Sequence, residues 1–90
     1  MTNAGDIEIL LRERLASLAP SRLELADDSH RHAGHAGARE GGHYRLLIVS
    51  DAFAGRNTLA RHRLVLDLLG PLADLRIHAL GIRTLTPDEV

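Results

Sequence analysis

Apolar residues recur at helical spacing near the start of the chain. From Asp6 onward they fall three or four residues apart, which places them on one face of a helix. They are Ile7, Leu10, Leu11, Leu15 and Leu18. Pro20 cannot continue a helix, so we expect the first helix to end there. Residues 1–5 lack this pattern, and we expect them to form a disordered start to the chain.

Two shorter segments carry the patterns of strands. Residues 23–27 alternate between apolar and polar, as in a strand that buries one face. Residues 44–49 are apolar except for Arg45, which is typical of a central strand that is covered more fully. The segment 29–42 between them contains four glycines and three histidines. A connection of this length in a small domain is usually functional or disordered.

A second helical pattern follows a turn at Gly55. Asn57 or Thr58 is suited to cap this helix, because each has a short side-chain oxygen acceptor. Gly70 and Pro71 end it. We predict a buried stripe of Leu59, His62, Leu66 and Leu69, with Leu64, Val65 and Leu68 beside it.

The rest of the chain predicts a third strand and completes the topology. Residues 75–85 form this strand, and Thr86, Pro87 and Glu89 then have the arrangement of a capped helix start. Only one residue follows them, so we expect a helix stub at most. The element order is α-β-β-α-β. A helix that joins two strands implies a parallel pair with a right-handed crossover. We therefore predict an α+β fold with a three-stranded mixed sheet and helices packed on one face.

Composition limits the classes of function. The 90 residues, 44% of them apolar, suit one domain over 1–90. No apolar run approaches the roughly 18 residues of a membrane helix, and no secretory signal is visible, so we expect a cytoplasmic protein that does not bind membranes. A net charge of −1 gives no strong electrostatic footprint for nucleic acid. The chain has no cysteine, so it offers neither disulfides nor thiolate ligands.

The six histidines carry the most distinctive chemistry of the sequence. His30, His32 and His35 lie close together in the glycine-rich segment, and a neutral imidazole is a good ligand for iron, zinc, copper or nickel. The spacing matches no closed zinc site, which uses four ligands and usually thiolates. The pattern alone therefore favours solvated histidines. A zinc or nickel carrier that uses them stays an open alternative.

The other three histidines fall within predicted elements. His78 shares a predicted strand face with Leu80 and Ile82, and the pattern alone favours a core or edge residue bonded to the backbone. His62 lies on the predicted buried stripe of the second helix. His43 starts the second strand beside the glycine-rich segment. There, a hydrogen bond at the strand end is a simpler explanation than metal ligation.

No arrangement of residues predicts an enzyme. Ser29 and Ser50 lie in no Gly-x-Ser-x-Gly elbow, and the chain has neither a Walker loop nor a dinucleotide fingerprint. Asp27 and Asp28 are neighbours in sequence, and adjacent strand positions point to opposite faces. We therefore predict a non-enzymatic protein.

Four segments together resemble the signature of the BolA-like family. They read GHYRLLIVSD at 42–51, FAG at 53–55, RHRLV at 61–65 and IHALGIRTLTP at 77–87. The resemblance implies a fold similar to the class II KH domain, with the element order predicted above. It also implies a monothiol glutaredoxin as partner and a shared [2Fe–2S] cluster, for cluster delivery or for iron and redox regulation. In such a pair the glutaredoxin and its glutathione supply thiolates, and the BolA-like protein supplies histidine.

The resemblance also assigns metal-ligating residues. One family ligand is the histidine of a Val/Ile-His-Ala-Leu strand, which is His78 in this chain. The other follows a Glu/Asp-x-Ser-x-x-His pattern, which residues 27–32 match with His32 in the ligand position. His30 and His35 are close enough to compete with it. Since the chain has no thiolate, the resemblance makes a thiolate-bearing partner obligatory.

A DNA-binding function is the alternative that the resemblance leaves open. Some BolA-like proteins are described as transcriptional regulators of stress response and cell morphology, and here Arg56, Arg61 and Arg63 would form the nucleic-acid-binding surface. KH domains grip nucleic acid with a Gly-x-x-Gly turn, whereas the turn at 53–58 has one glycine. We expect the protein alone to be a monomer or a weak homodimer.

Overall fold

The computed structural model describes residues 4–27 and 42–90 of the protein. The helices and strands are α1 (Ala4–Arg14), β1 (Arg22–Asp27), β2 (Gly42–Val49), α2 (Thr58–Leu69) and β3 (Ile77–Leu85). Short 3-10 turns lie at Ala16–Leu18, Asp51–Phe53, Leu72–Leu75 and Pro87–Glu89. The predicted order α-β-β-α-β is confirmed. No helix in these two ranges is long and apolar enough to cross a membrane.

The three strands form one mixed sheet in the order β1-β2-β3. β1 pairs with β2 in antiparallel fashion, and β3 pairs with β2 in parallel. Helix α2 makes the crossover between the two parallel strands, as the sequence predicts. β2 is therefore the central strand, with hydrogen-bonded neighbours on both sides.

Both helices pack on the same face of this sheet. The residues of β2 that are buried on that face are Tyr44, Leu46 and Ile48. The helices contribute Ile7, Leu11, Val65 and Leu69 to the same hydrophobic cluster, and Leu15, directly after α1, joins them. Because side chains alternate along a strand, His43, Arg45 and Leu47 lie on the opposite face. The predicted α+β layering is confirmed.

The first helix differs from its prediction at both ends. It begins at Ala4, so residues 4 and 5 are helical, and it ends at Arg14 rather than at Pro20. Leu18 is buried from the 3-10 turn that follows. Residues three apart fall on one side of a 3-10 helix as well as of an α-helix, so the apolar spacing did not separate the two.

The predicted stripe of α2 is confirmed at Leu69 and wrong at Leu59 and Leu66. Leu59 and Leu66 are 58% and 39% exposed, whereas Val65 and Leu69 are fully buried. Arg61 takes the inward position one turn before Val65, and its side chain is 12% exposed. Because arginine is usually exposed, the apolar pattern does not place Arg61 on the inward face, and the predicted stripe is displaced toward Leu59 and Leu66.

The remaining boundaries shift by one or two residues. β2 begins at Gly42, so this residue belongs to a strand rather than to the predicted loop, and β3 begins at Ile77 rather than at residue 75. Asn57 caps α2, since its side-chain oxygen accepts a hydrogen bond from the Ala60 N–H at 2.9 Å. The predicted C-terminal stub is confirmed as a single 3-10 turn with a capping box.

Candidate functional site

His78 lies in an irregularity at the start of β3. Gly42 pairs with Ile77 and the next residue, His43, pairs with Ala79, so the register shifts between them and His78 has no partner position in β2. Such a β-bulge re-aims the side chains around it. Ile77 is 3% exposed and belongs to the core, whereas His78 is exposed.

The bulge overturns the predicted surroundings of His78. Regular alternation places this side chain on the face of Leu80 and Ile82, and both of those residues do pack against the core. Ile77 also lies in the core, so the alternation is broken between residues 77 and 80. His78 instead turns to the side of the sheet that carries no helix, where its ring contacts His43.

His43 and His78 form a pair of imidazoles on adjacent strands. Their ring centroids are 5.0 Å apart and the ring planes are inclined by 45°. His43 is half-buried and His78 is exposed. Sequence reasoning treated each histidine singly and missed the pair. The signal was present, because each is the second residue of its strand and the two strands run in parallel.

The backbone around this pair is well anchored. The N–H of Gly42 donates a hydrogen bond to the carbonyl of Arg76 at 3.1 Å, which ties the start of β2 to the turn before β3. Gly42 also makes room for the buried ring of Tyr44. A Cβ at this position would lie 2.6 Å from both Cζ and Oη of Tyr44. These contacts fix the two strand starts that present the histidines.

The loop histidines predicted as ligands, His30, His32 and His35, lie outside the described residues. The two ends of that segment are described. Asp27 pairs with Tyr44 in one direction across the sheet, and Gly42 pairs with Ile77 in the other. Both attachments of residues 28–41 therefore lie at the end of the sheet where the His43–His78 pair is located.

The pair does not belong to a complete metal site within the described segments. Neither range contains three or more histidine, aspartate or glutamate residues that are grouped closely enough to hold an ion. Two imidazoles supply two ligands, and a four-coordinate metal needs two more. The arrangement is thus suited to a metal whose other ligands come from elsewhere.

Arg61, one of the predicted nucleic-acid-binding residues, is occupied within the fold. Its guanidinium makes two hydrogen bonds to the carboxylate of Glu89, at 2.7 and 3.2 Å, and one to the carbonyl of Thr84 at 3.3 Å. It also lies 6.0 Å from the ring centroid of Phe53. The hydrogen bond from Arg61 and a second from the Thr86 N–H lower the pKa of Glu89 to about 2. Arg61 thus fastens the C-terminal turn to α2.

Arg56 lies just before α2 and Arg63 lies within it. They border a shallow groove of about 380 Å³. Its lining is Arg56, Asn57, Leu59, Ala60, Arg63, Leu64 and Asp67. The exposed Leu59 contributes an apolar patch to the groove, and Asp67 contributes an acidic group. The groove is thus lined by two of the three predicted arginines. Arg61 does not line it, although its Nε donates a hydrogen bond to the Arg56 carbonyl at 2.8 Å.

Comparison with known proteins identifies relatives over the whole fold. The family model described as BolA-like protein matches residues 15–89. The chain is 45% identical over 93 residues to SufE-like protein 1, chloroplastic/mitochondrial, of Arabidopsis thaliana, which covers 96% of this chain and 25% of that protein. It is 35% identical over 86 residues to the DNA-binding transcriptional regulator BolA of Escherichia coli K12, which covers 90% and 80% of the two chains.

Solved structures give the same result. BolA1 from Arabidopsis thaliana is 40% identical and superposes with a TM-score of 0.78, covering 100% of this chain and 98% of that one. The present chain spans only a quarter of the plant SufE-like protein. One relative is named for chloroplasts and mitochondria, so a cytoplasmic location stays a prediction, as does the likeness to KH domains. The matched region contains every described strand and the His43–His78 pair, and the chain belongs to the BolA-like family.

Proposed function

We propose that this protein pairs with a monothiol glutaredoxin and ligates a [2Fe–2S] cluster jointly with it. The cluster is cargo or signal, for delivery or for iron and redox regulation, and the protein itself catalyses no reaction. One observation carries the proposal. His78 is turned out of the core by a β-bulge at the sheet end to which the segment of His32 attaches.

The donor chemistry supports a shared cluster. The chain has no cysteine, so the thiolates have to come from the partner and its glutathione. Histidine in place of cysteine on one iron is the arrangement of Rieske centres and raises the reduction potential of the cluster. His78 is the ligand on which the proposal depends. The family resemblance names His32 as the second ligand, with His30 and His35 as competitors.

The face of the sheet around His78 is suited to an anionic partner. Arg45 and Arg83 are exposed on the face that carries no helix. Gly81 lies beside Arg45, and a Cβ there would be 3.7 Å from the Arg45 Cγ, so the arginine side chain runs across the glycine. Positive charge on a docking face raises the association rate of a negatively charged partner, such as one that carries glutathione and thiolate-bound iron.

The test is to mix the protein with a cluster-loaded monothiol glutaredoxin and to record visible circular dichroism. We expect a changed cluster spectrum with the natural chain and with His62→Ala, because His62 lies on α2. We expect His78→Ala to abolish the change. An identical spectral change with His78→Ala would contradict the proposal, provided that far-ultraviolet spectra show the variant to be folded.

A DNA-binding regulator is the second candidate function. It is favoured by the printed name of the Escherichia coli relative and by the groove that Arg56 and Arg63 share. Each phosphate contact contributes about −0.9 to the slope of log affinity against log salt. The double variant Arg56→Ala/Arg63→Ala should therefore reduce that slope on promoter DNA by about two. Arg22→Ala is the control, because Arg22 lies on β1 and pairs with Glu24. Equal slopes for all three proteins would contradict this function.

A further inference from the structure

We propose that His43 and His78 together form a two-imidazole site for one first-row transition metal ion, which is an iron of the cluster in the complex. His43 is thus the second ligand, in the place that the family resemblance gives to His32, and the site assembles without any loop histidine. The inference rests on the proposed function only for the identity of the metal. The site itself follows from the positions of His43 and His78 in the described sheet.

The separation of the rings fits a shared metal. A metal–nitrogen bond of about 2.0–2.1 Å places an imidazole centroid about 3.2 Å from the ion, so two neighbouring tetrahedral ligands have centroids about 5 Å apart. The observed distance is 5.0 Å. The ring planes are inclined by 45°, so the two histidines do not form a parallel stack.

The strand starts hold the two histidines in place before any metal binds. His43 stands between Gly42, whose N–H bonds to Arg76, and the buried Tyr44. His78 follows Ile77, which is buried in the core. Ligands on anchored strands are held more accurately than ligands on loops. The bulge is necessary for this arrangement, because it puts His78 on the face of His43 rather than on the core face.

The choice of donors selects the class of metal. Two neutral imidazoles suit iron, zinc, copper and nickel and disfavour calcium and magnesium, which prefer oxygen. The described residues place no third metal-binding side chain beside the pair. Two positions on a tetrahedral ion are thus left for ligands from outside the sheet, such as the sulfides of a cluster.

The first experiment uses Zn²⁺ alone and the full chain. The background is the triple variant His30→Asn/His32→Asn/His35→Asn, which removes the loop histidines. We expect one Zn²⁺ per chain by calorimetry. Adding His43→Asn or His78→Asn should weaken binding by more than about tenfold, since loss of an outer-shell partner alone costs about 10–100-fold. Adding His62→Asn should leave binding unchanged. Equal affinity with and without His43, or no Zn²⁺ binding to the triple variant, would overturn the proposal.

A second measurement needs no substitution near the strands. In the natural chain, the ring nitrogens of His43 and His78 should shift together in nitrogen-15 spectra as Zn²⁺ is added. If Zn²⁺ moves the His78 signals and leaves those of His43 in place, the proposal is wrong even when the variants prove unstable.

These experiments distinguish a failure of the two-histidine site from a failure of the proposed function. If the Zn²⁺ results hold but glutaredoxin causes no spectral change, the partner is wrong and the two-histidine site stands. If the change with glutaredoxin requires His78 while His43→Asn alters neither Zn²⁺ affinity nor the number of histidine nitrogens coupled to the reduced cluster in pulsed EPR, the site is wrong and the partner stands.

Discussion

Gly42 occupies a position in which a side chain does not fit. The ring of Tyr44 lies over it, and a Cβ would come within 2.6 Å of Cζ and Oη of that ring. Tyr44 is itself buried in the core, so the ring cannot move freely away. The glycine therefore permits the close approach that sets His43 at the start of β2.

Gly42→Ala should destabilise the protein by about 1–3 kcal/mol, the usual cost of overpacking. Gly81→Ala is the matched control, because a Cβ there finds its nearest neighbour at an ordinary 3.7 Å. Urea unfolding of both variants measures the difference. Equal stability of the two variants would show that Tyr44 moves aside without cost.

The two histidines show how far residue-scale prediction extends. The resemblance selects His78, and the structure places it at an exposed strand start. The contact with His43 depends on the register between β2 and β3 and on one bulge. A register shift of one residue moves side chains to the other face and leaves no mark in the hydrophobic pattern. The pair could therefore be suspected from the parallel strands but not established from the sequence.

At the scale of elements, α2 is the helix whose inward face the sequence predicts only in part. Its inward face carries Arg61, Val65 and Leu69. Arg61 is held there by its ion pair with Glu89, and its guanidinium lies 6.0 Å from the ring centroid of Phe53. Apolar periodicity found the helix and both of its ends. It could not find the whole face, because the deciding inward residue is charged.

Leu59 tests this orientation, and Leu69, which is inward in both orientations, is the reference. Leu69→Ala should cost about 2–5 kcal/mol, as expected for a fully buried leucine. Leu59→Ala should change stability by no more than about 0.5 kcal/mol, as for other surface positions. Chemical denaturation compares the two. A large loss with Leu59→Ala would favour the orientation predicted from the sequence.

The link between the C-terminal turn and α2 has a definite pH dependence. The pKa of Glu89 is lowered from 4.5 to about 2 in the folded protein, chiefly by the hydrogen bond from Arg61. A carboxyl whose pKa falls on folding stabilises the protein above its unfolded pKa and loses that contribution as the pH falls towards the folded value.

Glu89→Gln should therefore lower the melting temperature at pH 7, and its difference from the natural chain should shrink as the pH falls from about 4.5 to about 2. Thermal unfolding at a series of pH values measures this. A difference that stays constant over the range would mean that the ion pair contributes nothing to stability.

At the scale of the whole molecule, the fold could be predicted almost completely and the functional assembly only in part. Period-two and helical patterns give the element order, and the short list of allowed connections then gives the mixed sheet. The thiolate ligands of the proposed cluster are a different matter, because a chain without cysteine does not contain them. The sequence therefore does not identify the protein that would supply them.

Because His78 is exposed, we expect His78→Ala to remain folded in the central experiment. A substitution at an exposed position away from the core is expected to change stability by no more than about 0.5 kcal/mol. Loss of function in His78→Ala can then be assigned to the lost imidazole rather than to unfolding.

Pulsed EPR of the reduced cluster in the one-to-one complex with a monothiol glutaredoxin is the most direct measurement. We predict couplings from histidine nitrogens that are present in the natural chain, retained in His62→Ala and lost or halved in His78→Ala. A reduced cluster that shows no histidine nitrogen in the natural complex would contradict joint ligation.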